Sequence, residues 1–213
     1  VQLGYGYRLG VDLPGESRGF IPNAKFYDKV YGENRWSANT IISVSIGQGE
    51  VLATPLQIAN LCATIANRGY FITPHVVKAI EDTVMPAELL QERHPDIDKR
   101  YFSDVAEGMR MAVTGGTCRL ANLPGIEVAG KTGTAQNPHG KDHSAFIGFA
   151  PYDNPQIAVC VYVENAGFGA TYGVPIGSLV IEKYLTGKIS PERKYIETRM
   201  LESNTKIFRG NTK

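Results

Sequence analysis

Three short strand-like runs, joined by connections too short for a crossover, constrain the fold of this chain most strongly. The runs cover 126–136, 143–150 and 156–163, separated by a loop at 137–142 and a turn at 151–155. Parallel neighbours need a connection of about a dozen residues or more, so these strands are expected to pair in antiparallel fashion. The sequence therefore predicts a three-stranded antiparallel meander.

A helix is predicted well before the meander. Thr54 suits the N-cap, Pro55 the first helical position and Gly69 the end. Apolar residues fill most of its circumference, which is typical of a helix buried on several sides. Its polar residues share one stripe at helical spacing: Gln57, Asn60, Thr64 and Asn67.

Two more helices flank the meander. One is predicted from Ser103, as N-cap, to about Val113, and the other from Val174 to about Leu185, with Gly187 past its end. Helical spacing assigns their inward faces. The predicted inward residues are Val105, Met109, Ala112 and Val113 in the first helix, and Ile176, Leu179, Val180 and Leu185 in the second.

The remaining stretches are rich in turn-forming or charged residues. Residues 1–50 are interpreted as turns and irregular loops, and 81–100 as a charged surface excursion. Residues 188–213 are interpreted as a flexible or loosely attached polar tail, weakly helical at 195–202. The predicted class is α+β, with helices packed against an antiparallel sheet.

Composition limits the function classes. The chain has 213 residues, 43% of them hydrophobic, and a formal net charge of +1. That suits one globular domain, or most of one, and gives no electrostatic case for binding nucleic acid or an anionic membrane. No run approaches the roughly 18 apolar residues of a spanning helix. Because the chain opens at Val1 and shows no signal peptide, it is interpreted as a fragment or processed chain whose membrane anchor, if any, lies outside it.

Cysteine and histidine give no metal site. The three cysteines lack metal-ligand spacing, and Cys62 and Cys160 are predicted to be buried in apolar runs, while Cys118 has no assigned place. His139 and His143 suggest metal or acid–base chemistry, but no further ligand cluster accompanies them, which favours a flexible polar loop at the rim of a cleft. No metal and no cofactor are predicted. A dinucleotide site at Gly4, Gly6 and Gly10 is rejected, because the spacing is one residue too long and no strand precedes it.

The first strand carries the sequence Lys131-Thr132-Gly133-Thr134. A lysine supplies positive charge, two hydroxyls can donate to a carboxylate, and a glycine lets a ligand backbone approach closely. Such a strand end is suited to holding an anion. The short string K-T-G also occurs by chance, so its neighbours decide its meaning.

Several segments agree, in order, with one family. The segments read GVDLPGE at 10–16, SIGQG at 45–49, ATPLQ at 53–57, AGKTGTAQ at 129–136 and FIGFAP at 146–151. Together they resemble the C-terminal part of the transpeptidase domain of class B penicillin-binding proteins, most of all the elongation-type, penicillin-binding protein 2-like branch. The resemblance covers roughly 1–187, leaving 188–213 as the polar tail.

The resemblance implies a peptidoglycan D,D-transpeptidase. In that family a serine attacks the D-Ala–D-Ala bond of a stem peptide, and an amine of a neighbouring stem resolves the acyl-enzyme. The implied partners are stem peptides ending in D-Ala–D-Ala, β-lactam antibiotics and proteins of the cell-elongation machinery. The implied location is the periplasmic face of the cell inner membrane, reached through an anchor outside this chain. No nucleic acid is implied.

The family roles carry over to the KTG strand. Lys131 would supply positive potential, and the hydroxyls of Thr132 and Thr134 would bind the substrate carboxylate. Gly133 would let the ligand lie along the strand edge as an added strand. The N–H of Thr134 would be one of two oxyanion donors. The expected catalytic residues are Lys131 and Thr134, and this requires Lys131 to lie exposed on a strand.

Two family motifs, SxxK with the nucleophile and SxN, are expected before Val1. Ser203-Asn204-Thr205-Lys206 and Ser37-Ala38-Asn39 fit these strings but fall in the tail and in a loop, so both are interpreted as chance matches. This chain alone is therefore expected not to form an acyl-enzyme. Two alternatives stay open: a serine β-lactamase, which the 45–57 segment disfavours, and a non-catalytic β-lactam sensor or scaffold.

Overall fold

The computed structural model describes residues 2–203 except 34, 80, 82 and 83. The chain divides into two compact units, Val1–Glu107 and Gly108–Lys213, and the division falls within one helix. Each unit contains an antiparallel sheet of its own, of two strands in the first and three in the second.

The first unit begins with helices that the sequence interpretation missed. Helix α1 (Ala24–Tyr31) and helix α2 (Ala38–Ser45) lie in the stretch interpreted as turns and loops, so that interpretation is wrong there. Asn23 caps α1, accepting the N–H of Phe26 at 2.9 Å. Each helix has eight residues, which is shorter than the window over which helical periodicity can be read.

Helix α3 (Pro55–Ala66) forms where the sequence predicts it. Thr54 is the N-cap of a capping box: its hydroxyl accepts the N–H of Gln57 at 3.1 Å, and Gln57 Oε1 accepts the N–H of Thr54 at 3.0 Å. Gly69, with φ of +113°, donates its N–H to the Thr64 carbonyl at 2.9 Å. The predicted start and end signals of this helix are therefore confirmed.

The polar stripe of α3 faces the interior of the unit. Gln57, Asn60 and Thr64 are buried, whereas Leu56 is 39% exposed. Gln57 Nε2 lies 3.1 Å from the Gly4 carbonyl oxygen, and two further carbonyls, of Tyr7 and Arg18, accept from it at 3.1 and 3.0 Å. Burial is favourable because the amide satisfies backbone carbonyls that would otherwise lack partners.

Between α3 and the unit boundary lies a small sheet. Strand β1 (Phe71–Ile72) pairs antiparallel with strand β2 (Glu92–Arg93), and the short helix α4 (Ala87–Leu90) precedes β2. Strand β1 is only two residues long. The 81–100 stretch, interpreted as an irregular excursion, supplies the partner strand instead.

Helix α5 (Lys99–Thr114) starts before the predicted N-cap Ser103, which lies inside it. Met109 and Val113 are buried as predicted, but Val105 is 48% exposed. The buried positions recur at intervals of three and four, so they share one helical face. That face consists of Phe102, Ala106, Met109 and Val113.

The second unit contains the predicted meander, which is confirmed. Strands β3 (Ala129–Ala135), β4 (His143–Ala150) and β5 (Ile157–Val163) form an antiparallel sheet in the order β3-β4-β5. In the register, Thr132 lies opposite Phe146 and Phe146 opposite Val161. The order makes β3 an edge strand and β4 the central strand.

Helix α6 (Gly173–Thr186) packs on β4 and β5, and Gly187 ends it with φ of +77°, as predicted. The buried ring of Phe146 fills the contact. A Cβ added at Gly177 would lie 2.4 Å from Phe146 Cδ1, and one added at Gly130 of β3 would lie 2.5 Å from Phe146 Cε2. These glycines let the helix and strands close on the ring.

The predicted inward face of α6 is partly wrong. Val180 is 46% exposed, whereas Ile181 is fully buried together with Ser178 and Glu182. The two polar residues are on the inward face because a buried arginine from the following segment binds both of them.

That arginine corrects the interpretation of 188–213 as loosely attached. Arg193 ends a 3₁₀ turn, Pro191–Arg193, and its guanidinium contacts Glu182 Oε2 at 2.9 Å, Ser178 Oγ at 2.6 Å and the Leu120 carbonyl at 3.2 Å. Helix α7 (Lys194–Glu202) follows, with Ile196 buried, and confirms the predicted helix at 195–202. The segment is therefore attached through the buried Arg193 and Ile196. The domain boundary at 187 stays a prediction.

The carboxylate of Glu182 is held by directed hydrogen bonds. Burial alone would raise the pKa of this carboxyl, but hydrogen bonds from Ser190 and from the Arg193 guanidinium outweigh burial and lower the pKa below its ordinary value. The backbone N–H of Ser190 donates to Glu182 Oε1 at 3.1 Å. A buried charge with these partners ties the C-terminal segment to α6.

Candidate active site

The KTG residues lie on β3, an edge strand of the sheet in the second unit. Lys131 is exposed, and its ammonium donates to the Thr132 carbonyl at 2.7 Å. Among the described residues no carboxylate forms an ion pair with it. Its charge is therefore open to an incoming anion. The requirement that Lys131 be exposed on a strand is met.

Thr132 is contacted by a segment that follows α5. The Oγ1 atoms of Thr132 and Thr117 lie 2.9 Å apart. Burial raises the pKa of the Cys118 thiol, and the nearby backbone N–H of Thr132 opposes that shift. That N–H therefore points away from β4, across the free edge of the sheet.

The direction of the Thr132 N–H indicates the direction of the Thr134 N–H. In an antiparallel pair, alternate residues of an edge strand direct their backbone groups outward. The N–H of Thr134, two residues on, accordingly points the same way as that of Thr132. Within the described part of the chain, the Thr134 hydroxyl makes no hydrogen bond. An outward N–H and a free hydroxyl suit the binding of an anionic oxygen.

Gly133 lies between the two threonines, opposite Ala145 in the register. Backbone from the segment before α6 approaches it closely. A Cβ added at Gly169 would lie 2.5 Å from the Gly133 carbonyl oxygen and 2.4 Å from that of Ala145. This part of the strand is thus supported from one face while its edge stays open.

Cys118, which the sequence could not place, lies beside this strand. It is fully buried, and burial raises the pKa of its thiol, although hydrogen bonds from Thr117 and Thr132 and the charge of Lys131 work in the opposite direction. Cys62 is buried as predicted. Cys160 is only half-buried, contrary to the prediction, yet desolvation raises its pKa to about 11.

The loop after β3 is held by its own polar groups. Asn137 donates its backbone N–H to Asp142 Oδ1 at 3.2 Å and its side-chain amide to Asn165 Oδ1 at 2.7 Å. His143 Nδ1 accepts the N–H of Asn165 at 3.0 Å, and His139 is exposed. No group of three metal-binding side chains occurs among the described residues. These contacts connect the loop to itself and to the segment around Asn165, and the predicted flexibility of the loop stays a prediction.

The two chance matches lie apart from β3 in the chain and in secondary structure. Ser37-Ala38-Asn39 lies at the start of α2 and not in a loop, with Ser37 as the residue before the helix. Ser203 follows α7, and the rest of that match, residues 204–206, lies outside the described residues.

A family model supplies the decisive comparison. The model described as "Penicillin binding protein transpeptidase domain" matches residues 1–182. This chain belongs to that family. The expected α+β fold of the family is confirmed by the helices and antiparallel sheets of both units.

Named relatives agree with the family assignment. The peptidoglycan D,D-transpeptidase MrdA of Acinetobacter baumannii is 38% identical over 189 residues, covering 80% of this chain and 28% of the relative. MrdA of Haemophilus influenzae is 35% identical over 214 residues, covering 91% of this chain and 33% of the relative. The transpeptidase-domain chain thus spans about a third of the length of these curated relatives.

Solved structures share the fold. A crystal structure of Pseudomonas aeruginosa PBP2 in complex with WCK 5153 superimposes with a TM-score of 0.78 at 33% identity, covering 90% of this chain and 43% of that one. A complex of PBP2 and MreC from Helicobacter pylori gives 0.70 at 29% identity, covering 87% and 34%. In the described part of this transpeptidase domain, no helix is long and apolar enough to cross a membrane.

Sequence reasoning missed Thr117 and Cys118 as neighbours of the KTG strand. The available signal was Gly115-Gly116, which predicts the end of a helix and a change of chain direction. The chain does turn there, since the N–H of Cys118 reaches back to the Ala112 carbonyl at 2.9 Å. Nothing in the local pattern indicates that the turn leads to β3.

Proposed function

We propose that this chain supplies the carboxylate-binding side of the active site of a peptidoglycan D,D-transpeptidase. The observation that carries the proposal is the free edge of β3, where an exposed lysine stands beside an outward N–H and a threonine hydroxyl that has no hydrogen-bond partner among the described residues. The names of the relatives support the same reaction. The substrate is a stem peptide that ends in D-Ala–D-Ala.

Each residue has a proposed role in acyl transfer. The Lys131 ammonium attracts the terminal carboxylate of the substrate, and the hydroxyls of Thr132 and Thr134 donate to it. The ligand backbone lies along Gly133 as an added strand. The Thr134 N–H donates to the oxygen that becomes negative when a serine attacks the carbonyl, and such a donor contributes about 3 kcal/mol. The catalytic residues of this chain are Lys131 and Thr134.

The nucleophile in this proposal comes from a longer protein. A serine of an SxxK segment attacks, D-Ala leaves with a proton, and an amine of a second stem takes the acyl group. β-Lactams acylate the same serine. The proposed location is the periplasmic face of the inner membrane, through an anchor outside this chain. Proteins of the elongation machinery are the proposed partners, in line with the PBP2–MreC complex from Helicobacter pylori.

The test is acylation of the full-length protein that contains this chain by a fluorescent penicillin. Lys131→Ala is expected to lower the acylation rate at least about a hundredfold, because it removes the charge that binds the carboxylate. Lys141→Ala removes an equally exposed lysine from the β3–β4 loop and should leave the rate unchanged. Equal rates for both variants would contradict the proposal.

Further readouts separate this function from its alternatives. A transpeptidase retains the penicilloyl adduct, whereas a serine β-lactamase releases it by hydrolysis. A non-catalytic sensor or scaffold would bind penicillin without cross-linking stem peptides. The isolated chain of 213 residues is expected to remain unlabelled, and covalent labelling of it would show a nucleophile among these residues.

A further inference from the structure

Thr117 approaches the KTG strand from outside the motif. Its Oγ1 lies 2.9 Å from Thr132 Oγ1, fifteen residues further along the chain. We propose that Thr117 is a positioning residue: its hydroxyl donates to Thr132 Oγ1 and thereby directs the Thr132 proton toward the substrate carboxylate. This inference rests on the proposed function, in which Thr132 binds that carboxylate.

Proton counting sets the direction of this hydrogen bond. A threonine hydroxyl has one proton and two lone pairs. A carboxylate only accepts hydrogen bonds, so the Thr132 hydroxyl must use its single proton to donate to the substrate carboxylate. The Thr117–Thr132 contact then forms only if Thr117 donates, which leaves the Thr117 oxygen as an acceptor for the Cys118 thiol, a group that keeps its proton because burial raises its pKa. Thr132 is left with a hydroxyl that accepts from one side and donates to the ligand on the other.

The backbone of Thr132 is held from the same segment. Its N–H lies close to the Cys118 thiol, and the neighbouring Lys131 ammonium donates to the Thr132 carbonyl at 2.7 Å. The residues 117 and 118 thus fix both the hydroxyl and the backbone of Thr132. A hydroxyl whose rotation is already restricted loses less entropy when a ligand binds.

The segment that carries Thr117 is itself well anchored. Cys118 is fully buried and donates its N–H to the Ala112 carbonyl at 2.9 Å. The Ala121 N–H donates to the Cys118 carbonyl at 2.8 Å, and Arg193 binds the Leu120 carbonyl at 3.2 Å. Thr117 therefore projects from a segment that is fixed on both sides. A rigid supporting group is what precise placement of a donor requires.

The experiment measures acylation of the full-length protein by benzylpenicillin and by its methyl ester, which lacks the carboxylate charge. Thr117→Val keeps the side-chain shape but removes the hydroxyl, and should lower the acylation rate with benzylpenicillin about five- to tenfold, the effect of one lost hydrogen bond. Its rate with the ester should equal that of the unmodified protein. Thr117→Ser should restore the benzylpenicillin rate.

A matched control removes a different hydroxyl. Thr114 is exposed, and in the described part of the chain its hydroxyl bonds only to the Met111 carbonyl, at 3.2 Å. Thr114→Val should therefore acylate normally with both compounds. In a Thr132→Val background, Thr117→Val should cause no further loss, because the two hydroxyls act as one unit.

The outcomes separate the inference from the function on which it rests. If Thr132→Val acylates normally with benzylpenicillin, the proposed carboxylate role of Thr132 fails. If Thr132→Val is slow but Thr117→Val is normal, the positioning role alone fails. Equal losses with the penicillin and its ester in Thr117→Val would indicate a general structural effect and would also overturn the inference.

Discussion

Helices α3 and α6 both direct polar side chains into the interior of their units, but they use different chemistry there. In α3 a neutral amide, Gln57, binds three backbone carbonyls from residues 4–18. In α6 an anion, Glu182, binds a buried guanidinium from the segment after the helix. Gln57 attaches an irregular stretch of chain, and Glu182 attaches the 3₁₀ turn and helix α7 that follow α6.

The difference lies in what remains when one partner is lost. Removing an amide leaves carbonyls that lack donors, at about 1–3 kcal/mol. Removing one member of a buried ion pair leaves an uncompensated charge, at about 3–5 kcal/mol. The neutral attachment should therefore be the less costly to break, and only the charged one should respond directly to pH.

Arg193→Ala should have the largest effect. Glu182 is 5% exposed and would remain as a buried anion without its cation, so the free energy of unfolding should fall by about 3–5 kcal/mol. Urea denaturation checks this. Lys194→Ala is the matched control, because its ion pair with Glu197 is exposed and should contribute less than about 1 kcal/mol. Similar losses in both variants would show that burial of the pair is unimportant.

The same arginine explains why the C-terminal segment was the least well predicted part of the fold. The strands and α6 follow from local patterns: short connections, alternation, Pro175 and Gly187. Residues 188–203 look like a polar tail because their attachment is made by charge and not by an apolar stripe. Composition cannot reveal that Glu182 and Arg193 form a pair, since that depends on a turn at 187–190.

The stripe on α3 shows a related limit. The spacing of Gln57, Asn60 and Thr64 placed them correctly on one face. The carbonyls that bury this face lie some forty to fifty residues away along the chain, and no local pattern indicates them. At the site, Lys131 to Thr134 were predictable from a motif, whereas Thr117 becomes a neighbour only through the chain turn after α5.

Gln57→Ala should lower the free energy of unfolding by about 2–3 kcal/mol, the second largest loss. Several carbonyls lose their donor, and the capping box loses the hydrogen bond from the Thr54 N–H to Gln57 Oε1. The amide has two N–H groups for three carbonyls, so at least one is shared. Gln57→Glu keeps the size and the acceptor but cannot donate as a carboxylate. It should destabilise at least as much, and a milder effect than for alanine would show that packing and not donation matters.

Acid should weaken the charged attachment. The pKa of Glu182 is lower in the folded protein than its ordinary value of 4.5, so the ionised form stabilises the fold above that value. This contribution is lost as the pH falls from about 4.5 through the folded pKa. The pKa of Asp12 is also lowered, by N–H groups of Val77 and Val76, so the wild-type curve alone is ambiguous.

The measurement is therefore the difference in unfolding free energy between wild type and Glu182→Gln as a function of pH. Glu182→Gln cannot ionise, so the difference should shrink as the pH falls below about 4.5. The corresponding difference for Gln57→Ala should stay constant over the same range, because no group titrates in that attachment. If the difference in unfolding free energy is constant with pH for both variants, the expectation that only the charged attachment responds to pH is wrong.

Thr54→Ala should lower the free energy of unfolding least, by about 1 kcal/mol. It removes the hydroxyl that accepts the Gln57 N–H at 3.1 Å, but the Gln57 amide still donates to its three carbonyls. Thr54→Ser retains the acceptor and should lose less than half as much. The two α3 variants share Gln57, so the Thr54→Ala and Gln57→Ala losses should not add in the double variant. Additive losses would mean that the cap and the loop attachment are independent, and that Gln57 holds the loop without help from the start of its helix.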